Sequence, residues 1–296
     1  MGSAAVPFRT VAVLGTGLMG GSLAGALKSL PDPPKVAGSS RNLSDGEGAR
    51  QRGWVDAFYP TNALCVEGAD LVVLAVPPGD VEGVWQEIAP ALLPGTVVTD
   101  LSSVKGALCA AYRERFSRLL PLYTSSHPMA GSEKTGITAS RADLFIGRTV
   151  FLTPFSEERG QTESLHAFWQ ALGAKTTTLS PSDHDGIVAF ISHLPHVLSY
   201  ALLHLVDRVR NEKRFEGFDY MEQKGGSFSD ILRIAKSSPA LWAEIFVQNR
   251  PALLQSIDLY QSEIGELREA IASLSAGDLS RLLSAWTEPA FGSGPA

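Results

Sequence analysis

The sequence predicts two domains: an α/β N-terminal half on a doubly wound, mostly parallel sheet, and an all-α C-terminal half. Three observations predict this. Short apolar segments alternate with helical segments as far as Ser180. Strand-like segments stop after Ser180. The chain of 296 residues is longer than one ordinary core requires and suits two domains.

The elements follow in order. Thr10 to Leu14 is a short apolar strand, and Ser22 to Leu30, after a run of glycines, reads as a helix. Lys35 to Ser39 reads as the second strand. Leu71 to Val76 and Thr96 to Asp100 are further strands, with Val81 to Ala91 as the helix between them. Thr149 to Thr153 and Lys175 to Thr178 read as later strands around a helix from Gln161 to Leu172. Ser182-Asp183-His184-Asp185 reads as a helix N-terminus with acids in its first turn. Helical periodicity continues to Val209, with Pro195 inside it; Pro195 offers no N–H, so a kink is expected there. Ala240 to Leu254 and Glu263 to Ser273 read as helices, and Phe291 to Ala296 as a frayed tail. The expected domains are 1–180 and 181–296.

Composition narrows the function classes. Hydrophobic residues make up 44% and charged residues 19%, so a packed core is expected rather than disorder. A net charge of −6 argues against a nucleic-acid partner, though a single local Arg could still hold an anionic substrate. Cys65 and Cys109 have no metal-ligand spacing and form no CxxC. With no signal-peptide pattern and no apolar run of membrane-spanning length, a cytoplasmic protein without a membrane partner is expected.

Gly15-Thr16-Gly17-Leu18-Met19-Gly20 fits GxGxxG directly after a strand and at the opening of a helix. That context makes the N-terminal half a Rossmann domain, with the pyrophosphate of a nicotinamide dinucleotide at the helix N-terminus. The second strand ends in Ser39-Ser40-Arg41 without an acid. An acid there would accept from a ribose 2′-hydroxyl and repel a 2′-phosphate. Ser40 can hydrogen-bond such a phosphate and Arg41 can pair with it, so NADP is favoured over NAD.

Three further segments carry chemistry. Asp100 to Gly106 follows a strand, where hydroxyls such as that of Ser103 face the ligand crevice or cap a helix. Ser126 to Lys134 reads as a second crevice loop, in which His127 has the titration range of a general base. Ser192, Pro195 and His196 share one helix face among apolar neighbours. A metal site from His184, His193 and His196 lacks the usual spacing and is discounted. Asp230 and Arg233, one turn apart, suit an ion pair or a carboxylate clamp, and Trp242 reads as core.

These segments, with Ala75-Val76-Pro77, SHPMAGSEKTG at Ser126 to Gly136 and SHLPH at Ser192 to His196, resemble the prephenate/arogenate dehydrogenase family over nearly the whole chain. The resemblance implies His127 as catalytic base and Ser103 as the hydroxyl that orients it. It implies Arg233 on a substrate carboxylate, Ser192 and His196 lining the pocket, Trp242 at the substrate side chain, and Glu133 and Asp230 as an ionic gate. Val76 and Pro77 are placed with the cofactor. The substrate would be prephenate or arogenate, and the helical half a homodimerisation domain. The alternatives are a β-hydroxyacid dehydrogenase, for which Lys224 and Lys236 stand in the wrong context, and a dinucleotide-sensing protein without turnover.

Overall fold

The computed structural model describes residues 6–120, 122–132, 134–155 and 160–291. Five parallel strands lie in the order β3-β2-β1-β4-β5: β1 Thr10–Leu14, β2 Lys35–Ser39, β3 Ala57–Tyr59, β4 Leu71–Leu74 and β5 Val97–Asp100. Their connections carry α1 (Leu18–Lys28), α2 (Leu43–Gln51), α3 (Asn62–Cys65) and α4 (Val81–Ile88), and α5 (Gly106–Ala111) follows β5. Both faces of the sheet are covered. Val11 and Val13 pack with Leu23 and Leu27 of α1, while Ala12 and Leu14 pack with Val84, Trp85 and Ile88 of α4. The period-2 alternation of a strand thus feeds two cores, and β1 reads as a continuous apolar run.

Three more strands form a second sheet beside β5. These are β6 (Thr124–Pro128), β7 (Thr149–Pro154) and β8 (Lys175–Thr178), with α6 (Gly160–Ala171) between the last two. Val98 N–H donates to the Leu122 carbonyl at 2.9 Å and Val98 bridges Tyr123 in parallel, so β6 runs beside β5. β7 is antiparallel to β6 and parallel to β8.

The β6 strand corrects the expected crevice loop. Ser126 to Pro128 of that segment are strand and Met129 to Ser132 are irregular, and in the strand each hydroxyl is paired. Thr124 meets Thr162, Ser125 donates to Asp100, and Ser126 lies 2.8 Å from Thr99 Oγ1 and accepts from Trp169 Nε1 at 3.1 Å. Tertiary partners make a polar strand affordable inside a sheet. The first helix begins at Leu18 rather than Ser22, because Gly20 and Gly21 lie inside it.

Beyond Ser180 the chain is helical. The Ser180 hydroxyl accepts from Asp183 N–H at 3.1 Å and Pro181 stands in the first turn of α7 (Pro181–Val188). Where a kink is expected at Pro195, the structure shows a change of helix type. A π-helical turn, Ala189–His193, precedes α8 (Leu194–Asn211), and its wider hydrogen bonding accommodates the missing N–H. The rod Pro181–Asn211 has 31 residues and a mean hydropathy of 1.5 over its apolar window. It therefore has the length and apolarity to cross a membrane, which the residue-by-residue reading did not expect, yet His184, Asp185 and His193 are buried in it.

Next come α9 (Tyr220–Gln223), α10 (Gly226–Ala235), α11 (Pro239–Gln248), α12 (Arg250–Ser273) and α13 (Ala276–Phe291). The helix expected from Ala240 to Leu254 is broken at Asn249, because Pro251 begins a new helix; Glu263 to Ser273 is the end of that same helix.

Candidate active site

The turn after β1 fits a dinucleotide. Gly15 has φ +96, and a Cβ there would lie 2.5 Å from the Ala75 carbonyl oxygen. A Cβ on Gly20 would lie 1.9 Å from the Gly15 oxygen. Both positions therefore require glycine. Above Gly17 the space is open, the nearest atom to a Cβ being Asp45 Oδ2 at 4.0 Å. No side chain caps α1 at Gly17, so its first amides are available to an anion. Thr16 is buried with its side chain against Gly38, while Leu18 and Met19 open the helix. Val76 and Pro77 continue from β4 beside the turn.

At the adenosine end, Ser39 is buried and donates to Asn62 Oδ1 at 2.6 Å. The Ser40 hydroxyl accepts from Asn42 N–H, and Arg41, 79% exposed, pairs with Asp80 at 2.6 Å. A 2′-phosphate would have to take Arg41 from Asp80.

Below the crevice, at the ends of β5 and β6, lies a buried ionic network. Asp100 Oδ1 accepts from Ser102 N–H at 2.7 Å and from Lys105 Nζ at 3.0 Å, and Oδ2 accepts from the Tyr123 and Ser125 hydroxyls. Lys105 Nζ also donates to the Ser126 carbonyl at 2.9 Å. Burial alone would raise the Asp100 carboxyl; the Lys105 charge and these hydrogen bonds outweigh it and hold the group below its ordinary value. The network joins the loop of Ser103 to the strand of His127.

His127, 7% exposed, faces His184 of α7, with Nδ1 to Nε2 at 2.8 Å. His184 Nδ1 lies 2.8 Å from Asp185 Oδ1. Asp185 is held by two backbone donors, Lys105 N–H to Oδ1 and Gly106 N–H to Oδ2, both at 2.8 Å. Burial, the largest cause, and the neighbouring Lys105 charge push the His127 imidazole well below its ordinary value, so it is neutral at physiological pH. Asn249 donates to the Asp185 carbonyl at 2.8 Å and lies 3.1 Å from His193 Nδ1. Burial pulls His193 down to about 4.

His196 stacks on Trp242 with ring centroids 3.4 Å apart, and its Nδ1 donates to the Ser192 carbonyl at 2.9 Å. Trp242 is 9% exposed and packs with Val104 and Ile245 where the two domains meet. Arg233 and Asp230 lie elsewhere, on exposed α10, 3.6 Å apart; within one chain they do not join the His127 network. Glu133 lies outside the described residues. Among the described residues no metal-ligand cluster forms, and His184 and His193 have the partners given above.

The residue-level reading assigned no role to Asp100, Lys105, His184, Asp185 or Asn249. The His184-Asp185 dipeptide is a local signal that marks a helix start and contributes to the family resemblance, without a role for either side chain. Nothing local marks Asn249, whose role comes from the α11–α12 junction.

Fold and site together define a Rossmann-type oxidoreductase with a helical second domain. Residues 23–178 match the family profile described as prephenate dehydrogenase, nucleotide-binding domain, and residues 180–285 the one described as prephenate dehydrogenase, dimerization domain. The chain belongs to the prephenate dehydrogenase family. It is 33% identical over 267 residues to the cyclohexadienyl dehydrogenase of Zymomonas mobilis, covering 90% of this chain and 89% of that protein. The structure of Aquifex aeolicus prephenate dehydrogenase in complex with hydroxyphenyl propionate and NAD+ superposes with a TM-score of 0.84 at 27% identity, covering 95% of this chain and 96% of that one. Synechocystis arogenate dehydrogenase gives a TM-score of 0.75 at 30% identity, covering 95% and 98%.

Proposed function

We propose that this chain is a prephenate or arogenate dehydrogenase, converting a cyclohexadienol to 4-hydroxyphenylpyruvate or tyrosine with release of carbon dioxide. The observation that carries the reading is His127: buried, neutral, bonded through Nδ1, and standing near the end of β6, at the same C-terminal edge of the parallel strands from which the Gly15–Gly20 turn leaves β1. When bound, the dinucleotide supplies the acceptor for the hydride on the hydroxyl-bearing carbon. His127 Nε2 takes the hydroxyl proton, and Ser103 on the neighbouring loop orients that hydroxyl. Loss of the ring carboxylate then makes the ring aromatic. A neutral His127 also avoids protonating the substrate, which would aromatise it without oxidation.

The Trp242–His196 stack and Ser192 form the wall for the substrate side chain. Arg233 is the carboxylate clamp. Asp230 holds it only at 3.6 Å, so an incoming carboxylate can replace Asp230. Glu133 is assigned with Asp230 to the ionic gate. NADP is preferred over NAD because β2 ends without an acid and with Ser40 and exposed Arg41. The domains divide as 1–180 and 181–296, a boundary supported by the Ser180 cap on α7. The chain acts as a homodimer through the helical domain, where Leu254, Leu259, Ile264, Ile271 and Trp286 are exposed apolar side chains. We place the enzyme in the cytoplasm, consistent with two buried free cysteines.

The β-hydroxyacid alternative needs a catalytic lysine on a helix of the second half. Lys224 is exposed and donates to its own Met221 carbonyl, and Lys236 caps the end of α10. Cofactor reduction followed at 340 nm, with NAD or NADP against prephenate or arogenate, tests the proposal. A signal in any combination supports it, and His127→Asn should lower that signal by about two to four orders of magnitude with cofactor binding kept. Silence in all four combinations with cofactor bound would favour another dehydrogenase first and the dinucleotide-sensing protein second.

A further inference from the structure

Asp185 and His184 use no atom in the reaction outlined above, yet both are buried and their donors and acceptors are ordered. Three donors converge on the two Asp185 oxygens: the Lys105 and Gly106 amides and the His184 Nδ1–H. A carboxylate only accepts, so His184 must carry its proton on Nδ1. Its Nε2 is then a bare acceptor, 2.8 Å from His127 Nδ1, which must therefore be the donor of that bond. The remaining His127 nitrogen, Nε2, has its lone pair free. Each assignment follows from the one before, and the first is anchored by backbone amides that cannot rotate.

We propose that Asp185 and His184 are positioning residues that hold His127 as the Nδ1–H tautomer and so keep Nε2 as the base. This inference rests on the reading of His127 as the base. Besides His184, the charged and titratable groups around His127 are Lys105 from the loop after β5 and His193 from the π turn; Asp185 and Asp100 act on His184. Lys105 is occupied by Asp100 and Ser126, so Asp185 is the anion that orders the two imidazoles. When His127 takes a proton, its Nδ1–H still points at a neutral acceptor backed by that carboxylate, which stabilises the charged imidazole. The two links span α7 and β6, so the base is set only when the helical domain is docked on the sheet.

Nitrogen-15 spectra of the six histidines in the NAD+-saturated enzyme test this directly, with His127 assigned by its disappearance in His127→Asn. The expected result is a proton on Nδ1 and a bare Nε2. Asp185→Ala removes the acceptor that fixes the His184 proton on Nδ1. It should move the His127 proton to Nε2 and lower kcat by about two to four orders of magnitude with cofactor affinity unchanged. His184→Gln keeps an acceptor toward His127 and a donor toward Asp185, so it should retain more turnover than His184→Leu. A wild-type His127 protonated on Nε2 overturns the proposal, as does a folded His184→Leu enzyme with wild-type kcat and pH profile. Equal losses in the Gln and Leu variants also overturn it, since they would mean packing alone. The reading of His127 as base fails separately, if His127→Asn keeps its turnover.

Discussion

Replacing Lys105 by Met removes the one cation from the floor of the site and leaves its carboxylate in place. Lys105 and Asp100 are both fully buried, with Nζ 3.0 Å from Asp100 Oδ1 and 2.9 Å from the Ser126 carbonyl. Met nearly matches the Lys stem in volume, so apolar contact is largely kept. The losses are the counter-charge of Asp100 and the donor to a buried carbonyl. Removing one partner of a buried pair costs about 3–5 kcal/mol. Asp100 keeps three donors, from Ser102, Tyr123 and Ser125, which places the expected loss near the lower end, at ~3 kcal/mol.

The pH dependence of this loss has a definite sign. In the wild type the Asp100 value is lowered, so its contribution to stability is complete above the unfolded value of 3.8 and is lost as pH falls through the lowered one. Without Lys105, burial dominates and raises the carboxyl, so the variant loses stability as pH rises above 3.8. The gap between the two proteins is therefore small in acid and largest near neutrality. Urea unfolding at fixed protomer concentration measures it. A neutral-pH loss under about 1 kcal/mol, or a gap that does not widen with pH, refutes the reasoning.

Other expectations follow from the same geometry. Gly20→Ala puts a methyl 1.9 Å from the Gly15 oxygen and should displace the turn at a cost of about 1–3 kcal/mol; unchanged dinucleotide affinity in a titration would exclude that turn as the cofactor site. The acid limb of kcat/KM should lie below the ordinary histidine range, because the base is lost only as pH falls through the lowered His127 value; a limb above that range counts against His127. Arg233→Ala should raise the substrate KM roughly tenfold to a hundredfold while sparing kcat, and an unchanged KM removes the clamp. Arg41→Ala should weaken NADP more than NAD in equilibrium titrations, whereas equal losses leave the preference without support.

Much of the fold was legible because its signals are local. The apolar runs of β1, β2 and β4, the glycines after β1, and the loss of strand patterns after Ser180 each lie within a few residues of one another. The family resemblance likewise rests on contiguous segments. The strand β6 was not legible, since Thr124, Ser125 and Ser126 have the composition of a loop. They become a strand only because Thr162, Asp100 and Trp169, distant in sequence, take their hydrogen bonds. Arg233, whose spacing from Asp230 suits an ion pair or a clamp, stands exposed on α10 away from His127 within one chain.

By itself the sequence determined the parallel sheet and the glycine turn, because strand period and positive φ are properties of short segments. Tertiary structure alone decided which nitrogen of His127 is free. That follows from Asp185, 58 positions along the chain, and from the amides of Lys105 and Gly106 that hold it. A tautomer is chosen by hydrogen-bond partners in space, and no local pattern encodes who those partners are.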